Sequence, residues 1–299
     1  MSTDPLSEWL CMLSPEHGAK VAAAIDKVPL RTVYTDQSDP SDARILGAEW
    51  SVRAHQDGVD RARVMVAVDT SRCPPGVLGA ALKSVGDTPK PLRVLAENLL
   101  QRRHDLDLLL GFDLGETTPR AKLYVLQPGG RPIAGFSGLC EDILSIAGVH
   151  PSWTHEQMKL AEQVPAFLAL DLRADAQTNG KLYFSFDRVA DADAVLSSLQ
   201  AEPLRERLSS IESHVSDNPH GRLVVTTRGC ESETVDVTLH AHLQTLPELS
   251  PALNEAWASL RTQAQEMKNH TLYPSYASWM WGPRPSESLY YTFRPPKTE

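Results

Sequence analysis

The sequence predicts an α/β (α+β) chain: a closed ten-stranded antiparallel barrel with an outer ring of helices. Three observations carry that expectation. Five segments read as hairpins, each preceded by helical patterns, and the unit recurs with a period of roughly sixty residues. The second strand of every hairpin sorts into one apolar face and one face bearing a cation, a tyrosine or both. No Pro/Gly/Ser-rich linker interrupts the series, so one domain covers residues 1–299. A ten-stranded meander laid under helices buries both faces and hides its edges by closing on itself.

The first hairpin is AEWSVRA (48–54) and RARVMVAVD (61–69), across the turn QDGVD with its Asp-Gly signal. The second is LDLLLGFDL (106–114) and AKLYVLQ (121–127), joined by GETTPR. FLALDLR (167–173) and KLYFSFD (181–187) form the third, joined by ADAQTNG. RLVVTTR (222–228) and TVDVTLHAHL (234–243) meet through GCESE, and TLYPSYASWMW (271–281) and SLYYTFR (288–294) through GPRPSE. HGAKVAAAIDKV precedes the first hairpin and PLRVLAENLLQRRHD the second. FSGLCEDILSIAGV and HEQMKLAEQV precede the third, DADAVLSSLQ and PLRERLSSIESHV the fourth, and PALNEAWASLRTQAQEMKN the fifth. Apolar residues in these stretches recur at steps of three and four, the mark of amphipathic helices.

Composition bounds the partners. The chain has 299 residues, 41% of them hydrophobic, which is ample for a sizeable core. A net charge of −9 argues against nucleic acid, which demands a basic face, so any cationic site is local. Cys11, Cys73, Cys140 and Cys230 are scattered with no metal-ligand spacing and suit free thiols in a reducing compartment. The first residues lack the pattern of a signal peptide, and no run of about eighteen apolar residues spans a membrane. The expectation is a cytoplasmic monomer or homodimer.

The polar faces carry the chemistry. In the second strands, Val64, Val66 and Val68 oppose Arg63, Met65 and Ala67, while Ala121, Leu123 and Val125 oppose Lys122 and Tyr124. Leu182, Phe184 and Phe186 oppose Lys181, Tyr183 and Ser185. Val235, Val237, Leu239 and Ala241 oppose Asp236, Thr238, His240 and His242, and Leu289, Tyr291 and Phe293 oppose Ser288, Tyr290, Thr292 and Arg294. If the apolar faces turn to the helices, Arg63, Lys122 and Lys181 crowd one lumen ringed by Tyr124, Tyr183 and Tyr290. Cations facing one another without acid partners are costly until a multiply charged anion such as a diphosphate joins them. Tyrosine faces stabilise a delocalised cation by roughly 0.5–2 kcal/mol per ring and offer no nucleophile as competent as water. The alternative is an ordinary half-exposed sheet whose Lys and Tyr face solvent.

The arrangement, with the motifs AEWSV, GFDLGETTPRAKLYV, LDLRADAQTNGKLYF and ESLYYTF, resembles the ABBA prenyltransferases (the PT barrel). Within them it is most similar to the indole, or dimethylallyltryptophan synthase, group and its short bacterial relatives. The resemblance implies an aromatic prenyltransferase that moves a dimethylallyl or longer group from its diphosphate to an indole, such as tryptophan or an indole-bearing metabolite or peptide. It implies Glu49, in Glu-Trp-Ser, as the catalytic base toward the indole N–H. Glu49, Ser51 and Arg53 share one strand face, so the carboxylate can point inward beside a cation. The family's arginine falls on Arg63, with Arg61 as the alternative, and its two Lys-x-Tyr pairs on Lys122/Tyr124 and Lys181/Tyr183. With His240, the cations form the expected diphosphate site; Tyr124, Tyr183 and Tyr290 form the carbocation shield. The family's Gln or Lys, then Tyr, of the eighth strand is replaced here by Thr238 and His240, a departure in one wall of that site.

Other signals are sparse. There is no DDxxD run, and the aspartates of DRVADADAV (187–195) read as a helix N-terminus. His240-x-His242 lacks a third ligand at a matching spacing, so no metal site is assigned. No cofactor is required; some relatives bind magnesium, and the sequence leaves that open. The Gly-Gly of QPGGRP (127–132) is a turn and no phosphate loop. Tyr276 or Trp279, in YPSYASWMW, is expected to floor the acceptor pocket. Two further readings stay open: a phenol or tyrosine acceptor, including one on a peptide, and a non-catalytic barrel that binds an isoprenoid or anionic lipid. Glu49 discriminates against the carrier, which has no use for an inward carboxylate beside a diphosphate.

Overall fold

A computed structural model describes residues 4–31, 47–86, 88–101, 106–114, 119–128, 131–149, 155–172, 180–216, 223–229, 236–267 and 271–294. Ten strands, β1 (Ala48–His55), β2 (Gly58–Ala67), β3 (Asp107–Asp113), β4 (Arg120–Leu126), β5 (Ala166–Leu172), β6 (Gly180–Phe186), β7 (Leu223–Gly229), β8 (Asp236–His242), β9 (Thr271–Trp281) and β10 (Ser286–Arg294), pair antiparallel in sequence order. The β1–β10 pair, with Trp50 opposite Tyr291, closes the ring. The expected turn segments GETTPR, ADAQTNG, GCESE and QPGGRP fall wholly or partly outside the described residues, as do Cys230 and Val235. Among the described residues no helix is long and apolar enough to cross a membrane.

The helices lie outside the ring because the outward strand faces are apolar. Val64, Leu123, Phe184, Leu239 and Phe293, one from each hairpin's second strand, are all buried. The expected helical stretches form α2 (Gly18–Ile25), α4 (Lys90–Gln101), α5 (Phe136–Ile146), α6 (His155–Leu160), α7 (Val189–Ser198), α8 (Glu202–Ile211) and α9 (Pro251–Glu266). Among the described residues two α-helices are not among the expected ones. In α1 (Pro5–Leu13), proline sits in the first turn, where its missing N–H costs nothing, and the Asp4 carboxylate accepts from the Ser7 N–H at 3.2 Å. In α3 (Val77–Val85) the cap comes from a neighbour. Glu97 of α4 accepts from the N–H groups of Gly76 (2.8 Å) and Gly79 (2.6 Å).

The seam between β1 and β10 is clamped by aromatic packing. Trp9 of α1 sets its ring edge-on against Trp50 of β1 and Phe293 of β10, with centroids 6.3 and 5.0 Å away. Trp257 of α9 covers Tyr291 beside them at 5.4 Å. Such pairs add about 0.5–1.5 kcal/mol each beyond the area they bury. The joint of the ring made between residues farthest apart in sequence thus carries the largest fully buried side chains, Trp9, Trp50 and Tyr291.

Two irregularities reshape the lumen. Between Ser51 and Arg53 the β1–β2 register shifts, with Ser51 opposite Arg63 and Arg53 opposite Asp60. On β9 Tyr276 lies opposite Tyr290 but Pro274 opposite Tyr291, which leaves Ser275 as an extra residue. Proline has no N–H for the ladder, so inside a paired strand it belongs at such a bulge.

Candidate active site

The bore holds two joined cavities with about 510 and 340 Å³ of atom-free space, open solvent at their mouths included, which share Arg63, Lys122, Tyr124 and Tyr290 as walls. Register explains which residues meet. Tyr124, Ala169 and Lys181 stand in line across β4, β5 and β6; so do Tyr183, Thr226 and Thr238, and then His240, Ser278 and Ser288. Each hairpin therefore steps the register by two residues, and strands so staggered tilt against the barrel axis. Tilt brings sequence-equivalent positions to one level. An aromatic belt results: Tyr124 to Tyr183 is 6.2 Å between centroids, Tyr183 to His240 5.8 Å, and His240 to Tyr290 5.8 Å. Phe167 of β5 stacks on Tyr183 at 4.2 Å and thickens the wall.

The cations occupy the hairpin side of this belt. Arg53, Arg63, Lys122 and Lys181 all line the larger cavity. The expectation that they face one another without acids is corrected. Arg63 Nε lies 3.2 Å from Asp113 Oδ2, and Lys122 Nζ lies 3.3 Å from Asp171 Oδ1. Each aspartate lies at or next to the end of the first strand of one hairpin and sits in register with the cation of the hairpin before it. The residue in register with Lys181 is Arg228, so the alternation stops at the third hairpin.

Burial drags the Lys122 proton affinity down, partly offset by Asp171 and worsened by Arg63. For Arg63, burial opposes the charge most strongly, but Asp113 together with Tyr290, Tyr124 and Tyr183 outweighs it, so the guanidinium holds its proton more tightly than a free one. Arg53 is held below the usual range, first by the charge of Arg63 and then by burial. Its buried Nε meets no hydrogen-bond partner among the described residues. Two arginines forced together with a donor to spare form a site that an anion stabilises. Sequence reasoning left Arg53 out of the cation set, although its parity with Glu49 had already put it on the inner face.

His240, expected in the diphosphate site, is not a cation there. Burial, then Lys181, Arg53 and Arg63, push its pKa down to about 3, and Thr226 Oγ1 lies 3.1 Å from Nε2. The ring is neutral at physiological pH and completes the aromatic belt rather than the positive cluster. Thr238 and Ser288, on the same face, line the cavity without charge.

Glu49 stands beyond the belt, as the order Arg53, Ser51, Glu49 along β1 requires, with Met65 opposite on β2. It lines the smaller cavity. Burial pushes its pKa up to about 7, against the opposing pull of a 3.0 Å hydrogen bond donated by Ser275 Oγ–H to Oε1. A carboxyl poised near neutrality suits general-base or hydrogen-bond-acceptor work. Tyr276 faces the same space: Glu49 adds to the burial that raises its phenol pKa, and its ring meets His242 edge-on at 4.9 Å. Trp279, the other residue expected to floor the acceptor pocket, is elsewhere. Its indole N–H donates to Glu287 Oε1 at 2.7 Å, and the guanidinium of Arg207 from α8 lies 4.6 Å over the ring, on the helix side of the sheet. Strand parity is the reason, because positions three apart point to opposite faces. Among the described residues no three His, Cys, Asp or Glu side chains gather as metal ligands.

Gly111 shapes the wall of the cavity that Glu49 lines. It lies in register with Lys122, and a Cβ there would stand 3.0 Å from Tyr124 Cε2 and 3.4 Å from Lys122 Cβ. Phe167 and Tyr183 hold the Tyr124 ring on its other side. Gly111→Ala is therefore expected to drive that ring into the bore, cutting turnover about tenfold or more while costing about 1–3 kcal/mol of stability. Steady-state rates beside a thermal melt check this; unchanged turnover would show that the ring has room to yield.

No family model matches the chain, and no curated protein matches it. Solved structures do share its fold. 6-Dimethylallyltryptophan synthase from Micromonospora olivasterospora, solved with DMASPP and Trp, has a TM-score of 0.60 at 15% identity, covering 97% of this chain and 95% of its own. AnaPT from Neosartorya fischeri has a TM-score of 0.55 at 15% identity, over 97% and 94%. 5-Dimethylallyl tryptophan synthase from Streptomyces coelicolor, also with DMASPP and Trp, has a TM-score of 0.54 at 16% identity, over 99% and 97%. The chain has the closed ten-stranded architecture of the ABBA barrel, over almost its whole length.

Proposed function

We propose that this chain transfers a prenyl group, first of all dimethylallyl, from its diphosphate to the ring of an indole acceptor. One observation carries the reading: a single closed bore orders four basic side chains, then a belt of four aromatic rings, then an inward glutamate poised near neutrality. In that order the site matches the three parts of an electrophilic alkylation. The allylic C–O bond breaks and the electron pair leaves with the diphosphate, held by Arg53, Arg63, Lys122 and Lys181. The allylic cation lies against Tyr124, Tyr183, His240 and Tyr290, whose ring faces favour positive charge. A neutral imidazole serves there, whereas an imidazolium would repel the cation. The indole N–H donates to Glu49, which eases charge build-up as a ring carbon attacks; loss of that carbon's proton to the released diphosphate restores aromaticity. Structural neighbours solved with DMASPP and Trp support substrates of this kind.

On this reading side-chain cations activate the leaving group and no metal is required, so chelator leaves the rate unchanged. The test is a screen of five- and ten-carbon prenyl diphosphates against indoles, phenols and short peptides, read by mass shift of the acceptor and pyrophosphate release. Prenylated indole is the expected product. Prenylated phenol alone would move the acceptor class, and tight donor binding without product from any acceptor would make the barrel a carrier.

A further inference from the structure

The Glu49–Ser275 contact has an unusual origin. The two residues lie on β1 and β9, which do not pair; β10 runs between them. Regular alternation would give Ser275 and Tyr276 opposite faces. Pro274 prevents this by breaking the ladder: the register slips, and Ser275 becomes the extra residue of a bulge beside Tyr276. The Ser275 carbonyl is tied to the Leu243 N–H at 2.9 Å, so the bulge is anchored from outside the strand pair. Its hydroxyl then reaches over β10 to Glu49 Oε1 at 3.0 Å.

Resting on the prenyl-transfer reading, we propose that Ser275 is a positioning residue that claims Oε1 of Glu49 and leaves Oε2 as the oxygen that meets the acceptor N–H. A carboxylate on a strand has freedom about its terminal torsion, and a single donor to one oxygen removes it. The same bond favours the ionised form and opposes burial. Other groups around Glu49 are Arg63 on β2, Asp113 on β3, Lys122 and Tyr124 on β4, Tyr276 on β9 and Tyr290 on β10. Burial raises the Tyr124 and Tyr276 phenols, which stay protonated through neutrality, while Lys122 is moved down toward it.

The experiment compares Ser275→Ala and Ser275→Thr in the full chain. With dimethylallyl diphosphate and an indole, Ser275→Ala should lower kcat about fivefold to tenfold at unchanged donor Kd. The acid limb of its pH–rate profile should move to higher pH, and Ser275→Thr should restore both. A readout free of substrate is the melting temperature against pH: the fall in stability belonging to Glu49 should extend to higher pH in Ser275→Ala, and that change in pH dependence should vanish in a Glu49→Gln background. An unmoved pH limb and unmoved melting profile would overturn the proposal, as would failure of threonine to rescue. If the wild type forms no product while the melting profile moves as expected, the link between Ser275 and Glu49 stands and the transfer reading fails.

Discussion

Glu49→Gln should cut turnover by two to four orders of magnitude while leaving prenyl diphosphate affinity within about twofold, the range typical of a lost general base. The amide keeps the shape and can still accept from Ser275, but it is a far weaker partner for the indole N–H. Donor contacts survive because the four cations all line the neighbouring cavity, to which Glu49 does not belong. The same substitution should alter stability with a definite sign. The Glu49 pKa is raised from 4.5 to about 7 in the folded chain, so the folded state binds the proton more tightly than the unfolded one. Its stabilising effect is complete below pH 4.5 and is lost as pH rises through about 7. Glu49→Gln should thus match the wild type near pH 4 and exceed it at pH 8 by up to about 3 kcal/mol. Thermal melts at the two pH values measure this. Equal melting temperatures at both would mean that Glu49 is ionised and solvated, and the base assignment would fail with it.

Arg63→Ala should abolish measurable donor binding and also destabilise the fold. Arg63 and Asp113 are nearly buried, each with 12% of its side chain exposed, so removing the arginine strands a carboxylate in the barrel wall. Breaking such a pair costs about 3–5 kcal/mol. The lower end is expected, because Arg53 is relieved of the Arg63 charge that disfavours it and feels Asp113 directly. The double variant Arg63→Met/Asp113→Leu separates the two effects. Apolar side chains of similar size should return most of the stability, since a buried ion pair adds little net energy over good packing. Donor binding should stay lost. Calorimetric titration with dimethylallyl diphosphate beside urea melts would check both; a double variant that regained donor affinity would show that Arg63 does not hold the diphosphate.

Much of this site could be read from the chain because a strand alternates strictly and a hairpin is local. Lys122 with Tyr124, and Lys181 with Tyr183, fall on one face by parity alone, and the apolar partners Leu123 and Leu182 mark the other. The same rule already separated Tyr276 from Trp279, and the pairing of both with the acceptor overlooked it. Pro274 inside YPSYASWMW was an available signal for a bulge. The Asp-Leu that ends each of LDLLLGFDL and FLALDLR was visible as a repeat, but its partner was not, since each aspartate reaches the cation of a different hairpin.

From the amino-acid order alone came the five hairpins, the outward and inward faces, the inner cations and tyrosines and the inward Glu49, because each depends on neighbours within a few residues. The tertiary structure decided the stagger of the ring, and with it the belt that joins Tyr124, Tyr183, His240 and Tyr290, the salt bridges of Arg63 and Lys122, and the reach of Ser275 over β10. It also decided charge: His240 is neutral and Glu49 half-titrated near pH 7 because enclosure strips water from groups whose sequence neighbours say nothing of solvent. Register between distant strands and desolvation inside a closed bore are properties of the assembled ring, and no local stretch of chain encodes them by itself.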